Sequence, residues 1–150
     1  MVLLTHRFDF CASHRLHNPA LSDRENEEIY GKCNNPNGHG HNYRLEVTLA
    51  GNPDPETGMV LELSILKRIV EEEICERYDH KNLNLDVPEF KELIPTAENM
   101  LVVIWDRLVG RIPAGRLYRL RLIETANNSF EYHGPGGYAP EEGQASHEDS

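Results

Sequence analysis

The stretch Gly38-His39-Gly40-His41-Asn42-Tyr43-Arg44-Leu45-Glu46-Val47-Thr48-Leu49 alternates with a strict period of two. His39, His41, Tyr43, Leu45, Val47 and Leu49 share one side, and Asn42, Arg44, Glu46 and Thr48 share the other. Side chains alternate across a strand, so this is a strand with one apolar face, and both imidazoles open that face. Upstream, Leu4, His6, Phe8, Phe10, Ala12 and His14 alternate in the same way, and that strand ends in a histidine in phase with Phe8 and Phe10. If the two strands are neighbours, His14 joins His39 and His41. Three neutral imidazoles with an open fourth position suit a catalytic zinc site. The competing reading is a set of hydrogen-bonded core histidines. Gly40 between two ligands lets a backbone or a substrate come close, although a plain turn at Asn37-Gly38 also accounts for the glycines.

Past this strand the period changes. Met59-Val60-Leu61 extends the pairing after the polar turn Asn52–Gly58. Ser64 caps a helix carrying Ile65, Leu66, Ile69, Val70 and Ile74. Thr96 caps a second, with Met100, Leu101, Ile104, Trp105 and Leu108 inward and Pro113 and Gly115 beyond it. Leu117 to Thr125 is a third strand and Phe130 to His133 begins a fourth. The predicted fold is α+β, ordered ββααββ, with two helices on one face of a four-stranded antiparallel sheet. Bare edges and a half-apolar second face predict assembly with other copies.

Composition sets the bounds. The 150 residues are 39% apolar and 27% charged, which fits one globular domain over residues 1–133. Residues 134–150 (GPGGYAPEEGQASHEDS) read as an acidic, disordered tail. A net charge of −10 argues against nucleic acid as a partner. No apolar run is long enough for a membrane span, and the first residues lack a secretory signal. Three cysteines without a CxxC pair argue against a disulfide framework or a cysteine-only zinc site and predict a reducing, cytoplasmic setting.

Four further positions carry chemistry. Cys33 lies in the turn-rich loop Gly31–Gly38, where a thiol beside a metal ionises readily or becomes a fourth ligand. Asp79-His80 ends the first helix as a cap or as half of a proton relay. Glu124 closes the apolar stripe Tyr118, Leu120, Leu122, where a carboxylate is either paired, catalytic or simply exposed at the strand end. Glu98 lies in the first turn of the second helix, where the dipole favours an acid.

Taken in order, Phe10-Cys-Ala-Ser-His14, Gly31-Lys-Cys-Asn-Asn-Pro-Asn-Gly-His-Gly-His-Asn-Tyr43, Asp79-His-Lys-Asn-Leu83, Thr96-Ala-Glu-Asn99 and Ile123-Glu-Thr125 resemble the 6-pyruvoyltetrahydropterin synthase family over about residues 4 to 133. The resemblance implies a tunnelling fold in which subunits join their sheets into a barrel, as a hexamer of two trimers. It implies Zn2+ on His14, His39 and His41, and Cys33 as the base. It implies a relay of Asp79 and His80 donated across a subunit interface, with Glu124 in the catalytic relay. Glu98 would anchor the pterin, with Thr96 beside it. The implied substrate is 7,8-dihydroneopterin triphosphate, a small molecule that loses triphosphate and becomes 6-pyruvoyltetrahydropterin on the tetrahydrobiopterin route. A carboxylate suits a pterin because the ring offers two parallel N–H donors. Arg15, Lys32 and Lys81 lie beside the motifs as candidate triphosphate contacts.

Two departures stand out. Ala97 replaces a threonine common in such enzymes, removing a hydroxyl contact, and Cys11 stands where serine is common. The sister activity, 6-carboxytetrahydropterin synthase of the queuosine route, uses the same fold, metal and substrate. Five residues separate Cys33 from His39, which matches the biopterin type; the queuosine type usually has three. No Glu lies between them, against a folate-type side-chain cleavage. A zinc-stabilised oligomeric binding protein without turnover is the alternative from another class, and it predicts Cys33 bound to the metal.

Overall fold

The computed structural model describes residues 1–137. Strands β1 (Val2–His14), β2 (His39–Gly51), β3 (Lys81–Asn82), β4 (Arg116–Ile123) and β5 (Ser129–Tyr132) form one sheet in the order β3-β1-β2-β4-β5. β1 and β2 pair antiparallel from Val2↔Gly51 to His14↔His39, so the two alternating stretches are indeed neighbours. The sheet has five strands where four were expected. The addition, β3, pairs parallel with β1 at Ala12 and Ser13 only, and two residues display no period to read.

The helices depart from ββααββ as well. Helix α1, Asp23–Tyr30, was not anticipated, because its mean hydropathy is low and it buries only Asn26. Its sequence signal is the capping box Ser22–Glu25, in which each side chain accepts from the other residue's backbone N–H. Helix α2, Leu63–Val70, starts one residue before the expected cap Ser64, and its N-cap Glu62 makes no side-chain bond. It runs through a π-helical segment, Glu71–Cys75, into α3, Glu76–Tyr78. Met59-Val60-Leu61 forms bends and no strand. After the short α4 (Leu83–Asp86), α5 spans Ala97–Leu108, and its N-cap Thr96 accepts from Asn99 N at 3.2 Å, as expected.

One sheet face makes the core. Phe8, Phe10 and Ala12 of β1, Leu45, Val47 and Leu49 of β2 and Leu120 and Leu122 of β4 pack against Leu66, Ile69, Val70 and Ile74 and against Met100, Leu101, Ile104 and Leu108. Burying each such aliphatic side chain is worth about 1.5–3 kcal/mol. A bulge between Thr48 and Leu49 shifts the register against β4, so Leu117 is buried where the alternation placed Tyr118. Gly134, at φ 90, lies close against Trp105: a Cβ there would fall 2.5 Å from Cζ2. The packed chain therefore reaches Gly134. The expected acidic tail lies, from residue 138 onward, outside the described residues.

The second face is charged rather than half-apolar. Arg7 pairs with Glu46 at 2.9 Å, Arg44 with Asp9 at 3.1 Å, and the Thr5 and Thr48 hydroxyls meet at 2.7 Å. Glu46 is 4% exposed, with Arg119 and Arg121 also within ion-pair reach. The outer edge of β1 is covered only from Cys11 onward, by Asp79, His80 and β3, leaving its first nine residues, Val2–Phe10, open among the described residues. No helix among the described residues is long and apolar enough to cross a membrane.

Candidate metal centre

His14 is the last residue of β1 and His39, its register partner, is the first of β2. His41, two residues on, projects to the same face. One ligand atom from each lies within 4.8 Å of the others. His14 is 1% exposed, and its Nδ1–H donates to the Pro95 carbonyl at 2.7 Å. A carbonyl can only accept, so neutral His14 keeps its lone pair on Nε2, which lies 3.1 Å from His39 Nε2. Two ring nitrogens aimed at each other need a proton or a cation between them. His39 Nδ1 is buried without a hydrogen-bond partner. Burial holds His14 at about 4, against the Pro95 bond, with the neighbouring His39 and His41 pushing the same way. Burial lowers His39 and His41 too. All three are therefore neutral near pH 7, which is the form that binds a metal. The Pro95 bond is the kind of outer contact that orients a ligating imidazole. Donor type, spacing and the facing lone pair all fit a divalent ion such as zinc.

Cys33 sits half-buried in the 3-10 turn Gly31–Asn34. Burial, then the charge of Glu124, pushes its thiol up. The easy ionisation expected from sequence is thus not a property of the chain alone and needs a nearby cation. Glu124 follows the last residue of β4, and its N–H donates to Asn128 O at 3.1 Å. Burial raises its carboxyl, His39 opposes the rise and Glu98 adds to it. Burial first, then Glu124, also pushes the Tyr43 hydroxyl far up. Glu124 therefore shares one electrostatic field with Cys33, His39, Tyr43 and Glu98. Glu98 is exposed in the first turn of α5, one turn from Pro95 and beside the Thr96 cap. Ala97 is 2% exposed and belongs to the core, so a hydroxyl there would enter the core rather than the site.

Asp79 and His80 lie elsewhere. Asp79 Oδ1 accepts from Cys11 N at 2.8 Å, and His80 N donates to Cys11 O at 2.6 Å. His80 adopts φ 61 and its Nδ1 lies 3.0 Å from Asp79 Oδ2. The Cys11 N–H bond, followed by His80, outweighs desolvation and holds the Asp79 carboxyl below its ordinary range. The pair is thus fastened to β1 at Cys11, with the His80 side chain 82% exposed, whereas the charge that acts on Cys33 is that of Glu124. Arg15 and Lys32 line one cleft with Asp23 and Glu27, while Lys81 is exposed on β3. The Pro95 carbonyl had no signal in the sequence, since a backbone acceptor leaves no residue-type trace.

A family model described as 6-pyruvoyl tetrahydropterin synthase matches residues 3–135. The 6-pyruvoyl tetrahydrobiopterin synthase of Homo sapiens is 51% identical over 131 residues, 87% of this chain and 90% of the human one. That of Poecilia reticulata is 53% identical over 125 residues, 83% of this chain and 85% of its own. The structure of the Caenorhabditis elegans 6-pyruvoyl tetrahydropterin synthase superposes with a TM-score of 0.84 at 42% identity, covering 89% of this chain and 95% of that one. Likeness of this extent takes in both strands that carry the histidines, the Cys33 turn and Glu124, and on it the chain belongs to the 6-pyruvoyl tetrahydropterin synthase family.

Proposed function

We propose that the chain is a zinc-dependent lyase that converts 7,8-dihydroneopterin 3'-triphosphate to 6-pyruvoyl-5,6,7,8-tetrahydropterin and triphosphate, serving tetrahydrobiopterin synthesis. The observation that carries this reading is the His14–His39–His41 cluster, within 4.8 Å, set in the same field as Cys33 and Glu124. Zinc held there supplies Lewis-acid polarisation of the substrate's side-chain hydroxyls, which acidifies the adjoining C–H bonds. The Cys33 thiolate takes a proton from such a carbon. Glu124, whose carboxyl is raised, carries a proton at neutral pH more readily than an ordinary acid does. Glu98 accepts the two parallel N–H groups of the pterin edge, with Thr96 beside it. Triphosphate departs with its bridging oxygen and electron pair. The electrons that reduce the ring come from the side-chain carbinols, so no external redox cofactor is needed. Arg15, Lys32 and Lys81 are the candidate cations for the triphosphate, a reading supported by the cleft that Arg15 and Lys32 share.

The relay to Cys33 comes from Asp79 and His80 of the partner subunit. This is supported by their attachment at Cys11 and by the open outer edge of β1. The assembly is a homohexamer of two trimers with sheets joined into a barrel. The charged second face, with its paired Arg7, Glu46, Arg44 and Asp9, suits an enclosed polar lumen. The pterin-synthase domain of residues 1–133, with the packed Gly134 beyond it, carries the activity, and the stretch from 138 to 150 is dispensable for turnover. Three unpaired cysteines suit a cytoplasmic setting.

Zinc-loaded protein incubated with dihydroneopterin triphosphate, with products identified by mass, tests this. 6-Pyruvoyltetrahydropterin with free triphosphate supports it. 6-Carboxytetrahydropterin with acetaldehyde assigns the chain to the sister reaction. Zinc bound without turnover leaves a binding protein.

A further inference from the structure

We propose that Asn34 is a positioning residue for Cys33, locking the Cys33 turn onto the segment that follows the metal ligand His14. The inference rests on the catalytic reading of Cys33 given above. Asn34 is 6% exposed, whereas Gly31, Lys32, Asn35, Pro36 and Asn37 around it are all exposed. Its Nδ2 donates to Leu16 O at 2.8 Å and to His17 Nδ1 at 2.9 Å. The Leu16 carbonyl can only accept, so it fixes which way the amide faces. His17 Nδ1 is then an acceptor, and the proton of the neutral ring is on Nε2. Two backbone acceptors complete the clamp. Cys33 O accepts from Leu16 N at 2.9 Å, and Asn34 O accepts from Arg15 Nε at 3.0 Å.

Residues 15–17 thus grip residues 33 and 34 through four hydrogen bonds, and Arg15 adjoins His14. The other backbone bonds of the turn are Asn35 N to Lys32 O and Gly38 N to Asn35 O, with Gly31 N bonding back to Glu27 O of α1. The intervening loop closes on itself through the fully buried Asn26, whose amide bonds Asn18 O at 2.9 Å and Ser22 O at 3.0 Å. That segment bonds the turn at Gly31, and the bonds that tie residues 33 and 34 to the stretch after His14 come from residues 15–17. The clamp sets where the thiol stands relative to the His14 imidazole. Only a short amide can serve at position 34. Aspartate has no donor for Leu16 O, glutamine is one methylene too long, and alanine leaves Leu16 O and His17 Nδ1 without their donor.

The test uses the zinc-loaded enzyme and Asn34→Ala and Asn34→Asp variants. Metal per chain, kcat, KM and the pH profile of kcat are measured with dihydroneopterin triphosphate. The pH dependence of Cys33 alkylation by iodoacetamide is measured without substrate and read at Cys33 by peptide mass. The expected result is full metal content, KM within about twofold, kcat lowered on the order of 10- to 100-fold, and a displaced Cys33 alkylation profile. Unchanged kcat and an unchanged alkylation profile would overturn the proposal. So would a loss of kcat that tracks loss of metal. If the Asn34 variants do not fold, His17→Phe removes one of the four bonds; a smaller shift of the Cys33 profile is expected, and no shift overturns the proposal. Should the parent protein fail to turn over the substrate, the catalytic reading falls, and the alkylation profile alone still decides whether Asn34 positions the thiol.

Discussion

The Pro95 carbonyl accepts a hydrogen bond from His14 Nδ1 at 2.7 Å and so decides which nitrogen of that ring is free. Pro95 immediately precedes the cap of α5, so the helix that carries Glu98 also orients a metal ligand. Removing the ligand should remove the ion. His14→Ala is expected to lose the bound metal, measured as zinc per chain. Adding zinc should raise the Tm of the parent protein and leave that of the variant unmoved. At a hundredfold excess over Kd the stabilisation is about 2.7 kcal/mol.

Cys33 separates an open catalytic site from a closed structural one. Cys33→Ala should keep its zinc and lose turnover by about 100-fold or more. Loss of zinc from this variant would show that the thiol is a fourth ligand.

The attachment of Asp79 and His80 to Cys11, together with the proposed relay across the subunit interface, predicts complementation between chains. Cys33→Ala and Asp79→Asn chains should each be inactive alone. Mixed, unfolded together and reassembled, they should recover about a quarter of the activity, because random pairing makes that share of intact interfacial sites. No recovery would place the relay within one chain.

Away from the site, Glu73 accepts from Arg107 at 2.9 Å and from Arg111 at 3.0 Å, tying the π-helical segment to the end of α5. Burial pushes its carboxyl up, but the two guanidinium groups outweigh this and hold it below its ordinary value. A carboxyl lowered by folding stabilises the protein above its unfolded pKa of about 4.3, and that contribution disappears as pH falls through the lower folded value. Denaturation midpoints followed from pH 7 to pH 3 should fall less steeply in Glu73→Gln than in the parent. Parallel curves would remove Glu73 from the acid response.

Gly134 marks how far the packed chain extends. At φ 90, with a Cβ falling 2.5 Å from Trp105 Cζ2, Gly134→Ala should destabilise the fold by about 1–3 kcal/mol in urea titration. Truncation after residue 137 should leave both stability and turnover unchanged. A loss in either would give the last residues a role.

Features that depend on short-range periodicity are legible in residue order alone. The two-residue alternation in 39–49 and 4–14 specified both long strands and put three imidazoles on one face, because side-chain direction along a strand needs no tertiary information. The Thr96 cap was legible for the same reason, since the hydroxyl reaches only three residues along its own chain. The Ser22–Glu25 box was equally local and shows α1 in hindsight. The remaining features arise from long-range packing. β3 is too short to carry a period, the bulge at Thr48/Leu49 swaps Leu117 for Tyr118, and the second face proved charged once Arg7 met Glu46 across the sheet. Which nitrogen of His14 stays free depends on a carbonyl 81 residues away. Where Asp79 and His80 stand depends on Cys11, 68 residues from Asp79. Contacts made by backbone groups across such separations leave no pattern in residue type, so they exist only once the chain has folded.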